Sequence, residues 1–137
     1  MNGAAPVLSD PADEWYRVGP ALEKLIKKNP TFGLTAKQVE DMCKYEDSVC
    51  LWTSNEGFVV TQFKDDEETG DRTLFLWVSA SFDGGNVNLR RYLPFFDGVA
   101  NHMKCKYIEL WSTREGMGRY LAKHDFEEFY RSYRKTV

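Results

Sequence analysis

Glu109 is a carboxylate set in an apolar run, Tyr107-Ile108-Glu109-Leu110-Trp111. That setting suits a general base, because burial raises a carboxylate's pKa and lets it accept a proton from a reacting group, directly or through water. The alternative is a strand residue that faces solvent or a neighbouring lysine. The two histidines, His102 and His124, stand near basic residues at expected helix ends, with no serine, cysteine or metal-ligand spacing to make a nucleophile or a metal centre. Cys43, Cys50 and Cys105 are odd in number and form no Cys-x-x-Cys pair, so they are expected to be reduced, packed thiols without disulfide or metal. Charge points elsewhere. Residues 1–87 hold 8 Lys and Arg against 15 Asp and Glu, a balance of −7, whereas residues 88–137 hold 10 against 6, a balance of +4. An anionic ligand is therefore sought in the C-terminal half, where Arg90-Arg91 is the first basic pair.

The elements that must position these residues follow from periodicity. With 137 residues and 15% aromatic side chains, the chain suits one core-bearing unit over 10–137, preceded by a loose arm over 1–9. No apolar run approaches the roughly 20 residues of a membrane span, and the N-terminus lacks a signal-peptide pattern, so a soluble, cytoplasmic protein with no membrane partner is expected. Asp10-Pro11 reads as an N-cap and first helical position, with Gly19-Pro20 expected to interrupt or kink the helix before Leu22, Leu25 and Ile26. Thr35 and Gln38 form a capping box ahead of a buried stripe of Val39, Met42 and Cys43.

From Ser48 the period changes to two. Val49 to Thr53 and Phe58 to Phe63 flank the turn Ser54-Asn55-Glu56-Gly57, and the acidic run Asp65 to Asp71 reads as a solvated hairpin loop. Arg72 to Phe82 is the longest strand, with Leu74, Leu76, Val78 and Ala80 expected on one face and Phe75 and Trp77 on the other. A helical stripe from Leu89 to Met103, kinked or delayed by Pro94, leads to the strand Tyr107 to Trp111. A strand, helix and strand in this order form a right-handed crossover, so the two strands should be parallel neighbours.

Arg114 to His124 then reads as a helix ending in Leu121, Lys123 and Phe126, followed by an aromatic-rich strand through Arg134. This punctuation, with the order of elements before it, resembles the GNAT-type N-acetyltransferase superfamily. The resemblance implies an α/β fold with a mixed sheet of about six strands and helices on both faces. It also implies acetyl-coenzyme A inserted between the fourth and fifth strands, with the backbone of Ser79, Ala80 and Ser81 along the pantetheine arm. The pyrophosphate would meet the amides of Gly84, Gly85 and Asn86, with Asn88, Arg90 and Arg91 close by, where free donors and a helix dipole favour an anion. Glu109 and Tyr120 are the implied catalytic pair, the tyrosine protonating the departing thiolate.

The chain departs from that pattern at several positions. Its glycines are adjacent and follow the anionic Asp83, Tyr120 stands one residue from the expected Leu121 position, about 100 degrees round a helix, and Asp125 replaces the usual glycine before Phe126. The implied cofactor binding is weak or absent. The run Arg114 to Phe126 is most similar to small GNAT-like proteins of tailed bacteriophages, which implies a second reading: a non-catalytic module that serves assembly, virion structure or host interaction through a protein partner. A third reading, nucleic-acid binding through Arg90-Arg91 and through Arg131, Arg134 and Lys135 among Tyr130 and Tyr133, is disfavoured by the net charge of −3.

Overall fold

The computed structural model describes residues 5–83, 89–110, 121–123, 125–127 and 135–137. Within them the order is β1 (Val7–Ser9), α1 (Pro11–Lys28), a 3-10 turn (Pro30–Phe32), α2 (Ala36–Tyr45), β2 (Val49–Thr53), β3 (Gly57–Asp65), β4 (Arg72–Ser81), α3 (Leu89–His102) and β5 (Tyr107–Leu110). The strands form one sheet in sequence order. β1 to β4 pair antiparallel and β4 pairs with β5 in parallel, as the crossover reading requires. The sixth strand expected before Arg134 lies outside the described residues.

Local chemistry explains the helices. Asp10 accepts the Ala12 N–H at 2.9 Å and caps α1 ahead of Pro11. The capping box of α2 has both reciprocal bonds, Gln38 N–H to Thr35 Oγ1 at 3.1 Å and Thr35 N–H to Gln38 Oε1 at 2.8 Å. Of the two outcomes expected at Gly19-Pro20, interruption does not occur, and α1 runs on through both residues. Pro20 is on the exposed side, where the carbonyl it leaves unpaired can meet water, while Gly19 is buried with Trp15 where its Cβ would be. α3 likewise contains Pro94 on its exposed side.

The N-terminal arm needs a correction too. Val7–Ser9 forms an edge strand, with Leu8 opposite Trp52 and Ser9 Oγ 2.7 Å from Thr53 Oγ1, because the short apolar segment gains ladder bonds that a loose arm lacks.

Two cores flank the sheet. Val18, Leu22, Val39, Leu51, Phe58, Val60, Val78 and Ala80 pack beneath α1 and α2. Trp52, Val59, Leu74, Leu76, Tyr92, Leu93, Phe96 and Ala100 pack beneath α3. The expected single face of Leu74, Leu76, Val78 and Ala80 is therefore split. The cause is a β-bulge: Val60 opposes Val78 and Thr61 opposes Leu76, so Trp77 is an extra residue on β4 and the alternation reverses across it.

Candidate functional site

The bulge decides what β4 offers at its C-terminal end. Phe82 N–H donates to the Glu56 carbonyl at 2.9 Å, and bonded positions alternate along an antiparallel ladder. Ala80 and Val78 thus turn their backbone groups toward β3, while Ser79 and Ser81 turn theirs to the opposite edge. On that edge β5 pairs with β4 only from Thr73 to Leu76. Among the described residues, β4 continues from Trp77 to Ser81 with no strand alongside it there.

Side chains at this stretch are sorted by face. Ala80 is buried in the core beneath α1 and α2. Trp77 stacks on Phe32 with ring centroids 5.5 Å apart, and Phe82 stacks on Phe58 at 6.3 Å with the Arg17 guanidinium 4.4 Å over its ring. Both aromatics pack toward α1 and α2 rather than across the β4 edge. Ser79, opposite Val59, lies on the α3 face, and Ser81 Oγ donates to the Glu56 carbonyl at 3.2 Å.

Glu109 lies opposite Phe75 on β5, one residue before the last described pair. Ile108 and Leu110 pack under α3, so alternation places Glu109 on the other face. Ser79, Ser81 and Glu109 are thus gathered on β4 and β5, but they are divided between the two faces of the sheet. Gly84, Gly85, Asn86, Asn88 and Tyr120 lie outside the described residues, as does the side chain of Arg90, whose backbone is in the first turn of α3.

Arg91 has an unexpected partner. Its guanidinium pairs with the carboxylate of Glu56 in the β2–β3 turn. The buried Tyr92 lies beside it, with its hydroxyl 2.8 Å from Ser54 Oγ and 3.4 Å from Glu56 Oε2. Ser54 Oγ also accepts the N–H groups of Glu56 and Gly57, at 3.2 and 3.3 Å. Gly57 has no alternative, since a Cβ there would strike the Ala80 carbonyl oxygen. Sequence reading identified Ser54 to Gly57 as a turn but gave no sign that Glu56 and Tyr92 belong to the same cluster, because their contact spans 36 positions.

The end of the later helix explains one departure from the family pattern. Asp125 has φ 65°, the left-handed region that favours glycine, and the Phe126 N–H donates to the Leu121 carbonyl at 3.1 Å. This is the six-to-one closure of a Schellman cap, and it carries Phe126 onto the core beneath α3. Aspartate is among the few residues with a side chain that visit this region readily.

The three cysteines are free. Burial, the largest cause, pushes the Cys43 thiol up to about 12, and burial also raises Cys50 and Cys105. Among the described residues no group of three His, Cys, Asp or Glu is placed to hold a metal ion, and no helix is long and apolar enough to cross a membrane. A separate apolar cavity of about 630 Å³ lies between α3 and β1 to β3, lined by Leu8, Trp52, Phe63, Phe95 and Val99 among others, away from β5.

No protein-family model matches the sequence. No curated protein matches it either. Solved structures do match. A ribosomal-protein-alanine N-acetyltransferase from Brucella melitensis biovar Abortus 2308 superposes with TM-score 0.66 at 12% identity, over 98% of this chain and 100% of that one. An acetyltransferase of Trypanosoma brucei gives 0.66 at 12%, over 96% and 98%. An aminoglycoside acetyltransferase from an uncultured soil metagenomic sample, in complex with sisomicin, gives 0.67 at 6%, over 96% and 95%. At such identities the likeness is one of architecture, and it agrees with the parallel β4–β5 pair between two helix layers: the chain has the GNAT acetyltransferase fold.

Proposed function

We propose that this chain binds an acyl-coenzyme A along the Trp77–Ser81 stretch of β4 and transfers the acyl group to an amine. The observation that carries this reading is the continuation of β4 beyond its last described pair with β5, with no described strand alongside it, where Ser79 and Ser81 turn backbone groups toward that edge while Trp77 and Phe82 pack elsewhere. An extended amide-bearing ligand can complete such an edge as a strand would. The residues fit that arm of the cofactor: Ser79 and Ser81 would hold its amides, and the start of α3 would face its phosphates.

When bound, the thioester supplies an activated acyl group. The chain contributes proximity and orientation, which can account for much of the barrier in such a transfer, and backbone donors near the reacting carbonyl. Glu109 is the carboxylate on β5 assigned to receive the amine proton, directly or through water. Tyr120 remains the assigned donor to the leaving thiolate from its sequence position alone. Acetyltransferases that share the fold include proteins whose substrates are a ribosomal-protein alanine and aminoglycosides, so an amine acceptor is the class to screen.

The reading is tested by melting the protein with and without millimolar acetyl-coenzyme A, then measuring thiol release with panels of amines. A ligand at a hundredfold excess over its Kd stabilises by about 2.7 kcal/mol, enough to raise the Tm by several degrees. We expect a smaller positive shift, because Arg91 is already engaged by Glu56. A zero shift and no thiol release would favour the second reading, a non-catalytic interaction module of bacteriophage type. The phage element of that reading rests on the run Arg114 to Phe126, most of which lies outside the described residues.

A further inference from the structure

The geometry points to Glu56 as an internal latch that draws Arg91 away from the β4 edge and lowers affinity for a phosphate-bearing ligand. This inference rests on the acyl-coenzyme A reading above. Glu56 lies opposite Phe82 across the β3–β4 ladder, on the side of β4 away from β5. The ligand edge is the other side of the same strand. Arg91, in the first turn of α3, therefore directs its charge one strand spacing in the wrong direction, about 4.8 Å.

Several contacts hold the latch in place. The Glu56 carbonyl receives both Phe82 N–H and Ser81 Oγ, at 2.9 and 3.2 Å, so the backbone that bears the carboxylate is anchored to the end of β4. Tyr92, 3% exposed, bridges Ser54 Oγ and Glu56 Oε2 and keeps the turn against α3. The ion pair itself is only half-buried, with Arg91 and Glu56 side chains 38% and 37% exposed. A pair of that kind is weak enough to open when a more highly charged anion competes for the guanidinium.

The test is equilibrium binding of coenzyme A and of pantetheine, which lacks the phosphates, to the wild-type chain, Glu56→Gln, Arg91→Ala and the double variant. Glutamine keeps the length of the side chain and every backbone bond of residue 56. Removing the carboxylate should tighten coenzyme A about fivefold, the scale of a half-exposed ion pair, and leave pantetheine unchanged. In the Arg91→Ala background the same substitution should give much less. If Glu56→Gln does not fold, as circular dichroism would show, Glu56→Ala also removes the carboxylate while leaving the backbone bonds of residue 56, and provides the same comparison. Coenzyme A binding to the wild type with no gain in the unlatched variants would overturn the latch and leave the cofactor reading intact. If neither compound binds any folded variant, the cofactor reading itself is lost and the latch with it.

Discussion

Cys43 shows how a single residue carries a pH dependence. Its thiol is pushed from 9.0 up to about 12, first by burial and then by Cys50, Glu40 and Glu46. The folded state therefore holds its proton where the unfolded state releases it. The stabilisation is complete below pH 9 and is lost as the pH rises toward about 12. Urea unfolding of the wild type and Cys43→Ala across pH 8 to 11 should show the wild type losing stability more steeply; parallel curves would contradict the assignment. The same residue was visible in the sequence as a packed thiol, because its place on the α2 stripe follows from local spacing. The Glu56–Arg91 pair was not, since 35 positions separate its members and only the sheet brings them together. Charge counting gave Arg91 a positive surface to join, but it could not show which carboxylate would reach it first.

Elements were most legible where their signals are local. The Thr35 and Gln38 capping box, the Asp10-Pro11 start and the turn at Ser54 to Gly57 each depend on residues within a few positions of one another. The helix is not interrupted at Gly19-Pro20 because tolerance of a proline depends on which side of the helix meets water, and neighbours far away in sequence decide that. The bulge at Trp77 was hidden for a related reason: Leu74 to Val78 is a continuous apolar run, and either alternation would fill it. Gly57 makes the matching prediction at the other end of β4. Gly57→Ala must force the strands apart at the Ala80 carbonyl, a backbone atom that cannot rotate away. We expect a loss of about 1–3 kcal/mol in chemical denaturation, the range for overpacking. A change below a few tenths would mean that β3 and β4 separate there at little cost.

At the scale of the molecule, the sheet is a partition with its own economy of faces. β4 belongs to both cores, through Leu74 and Leu76 on one side and Val78 and Ala80 on the other. Phe58 and Phe96, each fully buried, are the largest closed side chains of the two layers, so neither layer is incidental to stability. This two-layer plan was legible from the order of strands and helices. The detailed candidate site was less so, because the residues proposed for catalysis and for the phosphates come from separate elements and Ser79, Ser81 and Glu109 divide between two faces once the bulge is present.

The parallel pair between β4 and β5 also sets an order in time. Thr53 and Phe58, partners in the β2–β3 hairpin, are separated by 5 positions, while Thr73 and Tyr107 are separated by 34 and joined through α3. Longer closure costs more chain entropy, so the hairpins can assemble first and β5 docks once the crossover has formed. The same inequality operates in reverse during native fluctuation, when a strand docked through the long crossover is released before the hairpins dissolve. Hydrogen exchange read by mass spectrometry should show amides of β5 exchanging sooner than those of β3, which is paired on both sides. Equal protection of the two strands would make the sheet a single cooperative unit. Early exchange at β5 would mean that the edge assigned to the ligand is assembled last and opens first, so that a bound acyl donor would act on the rate of opening as well as on the equilibrium.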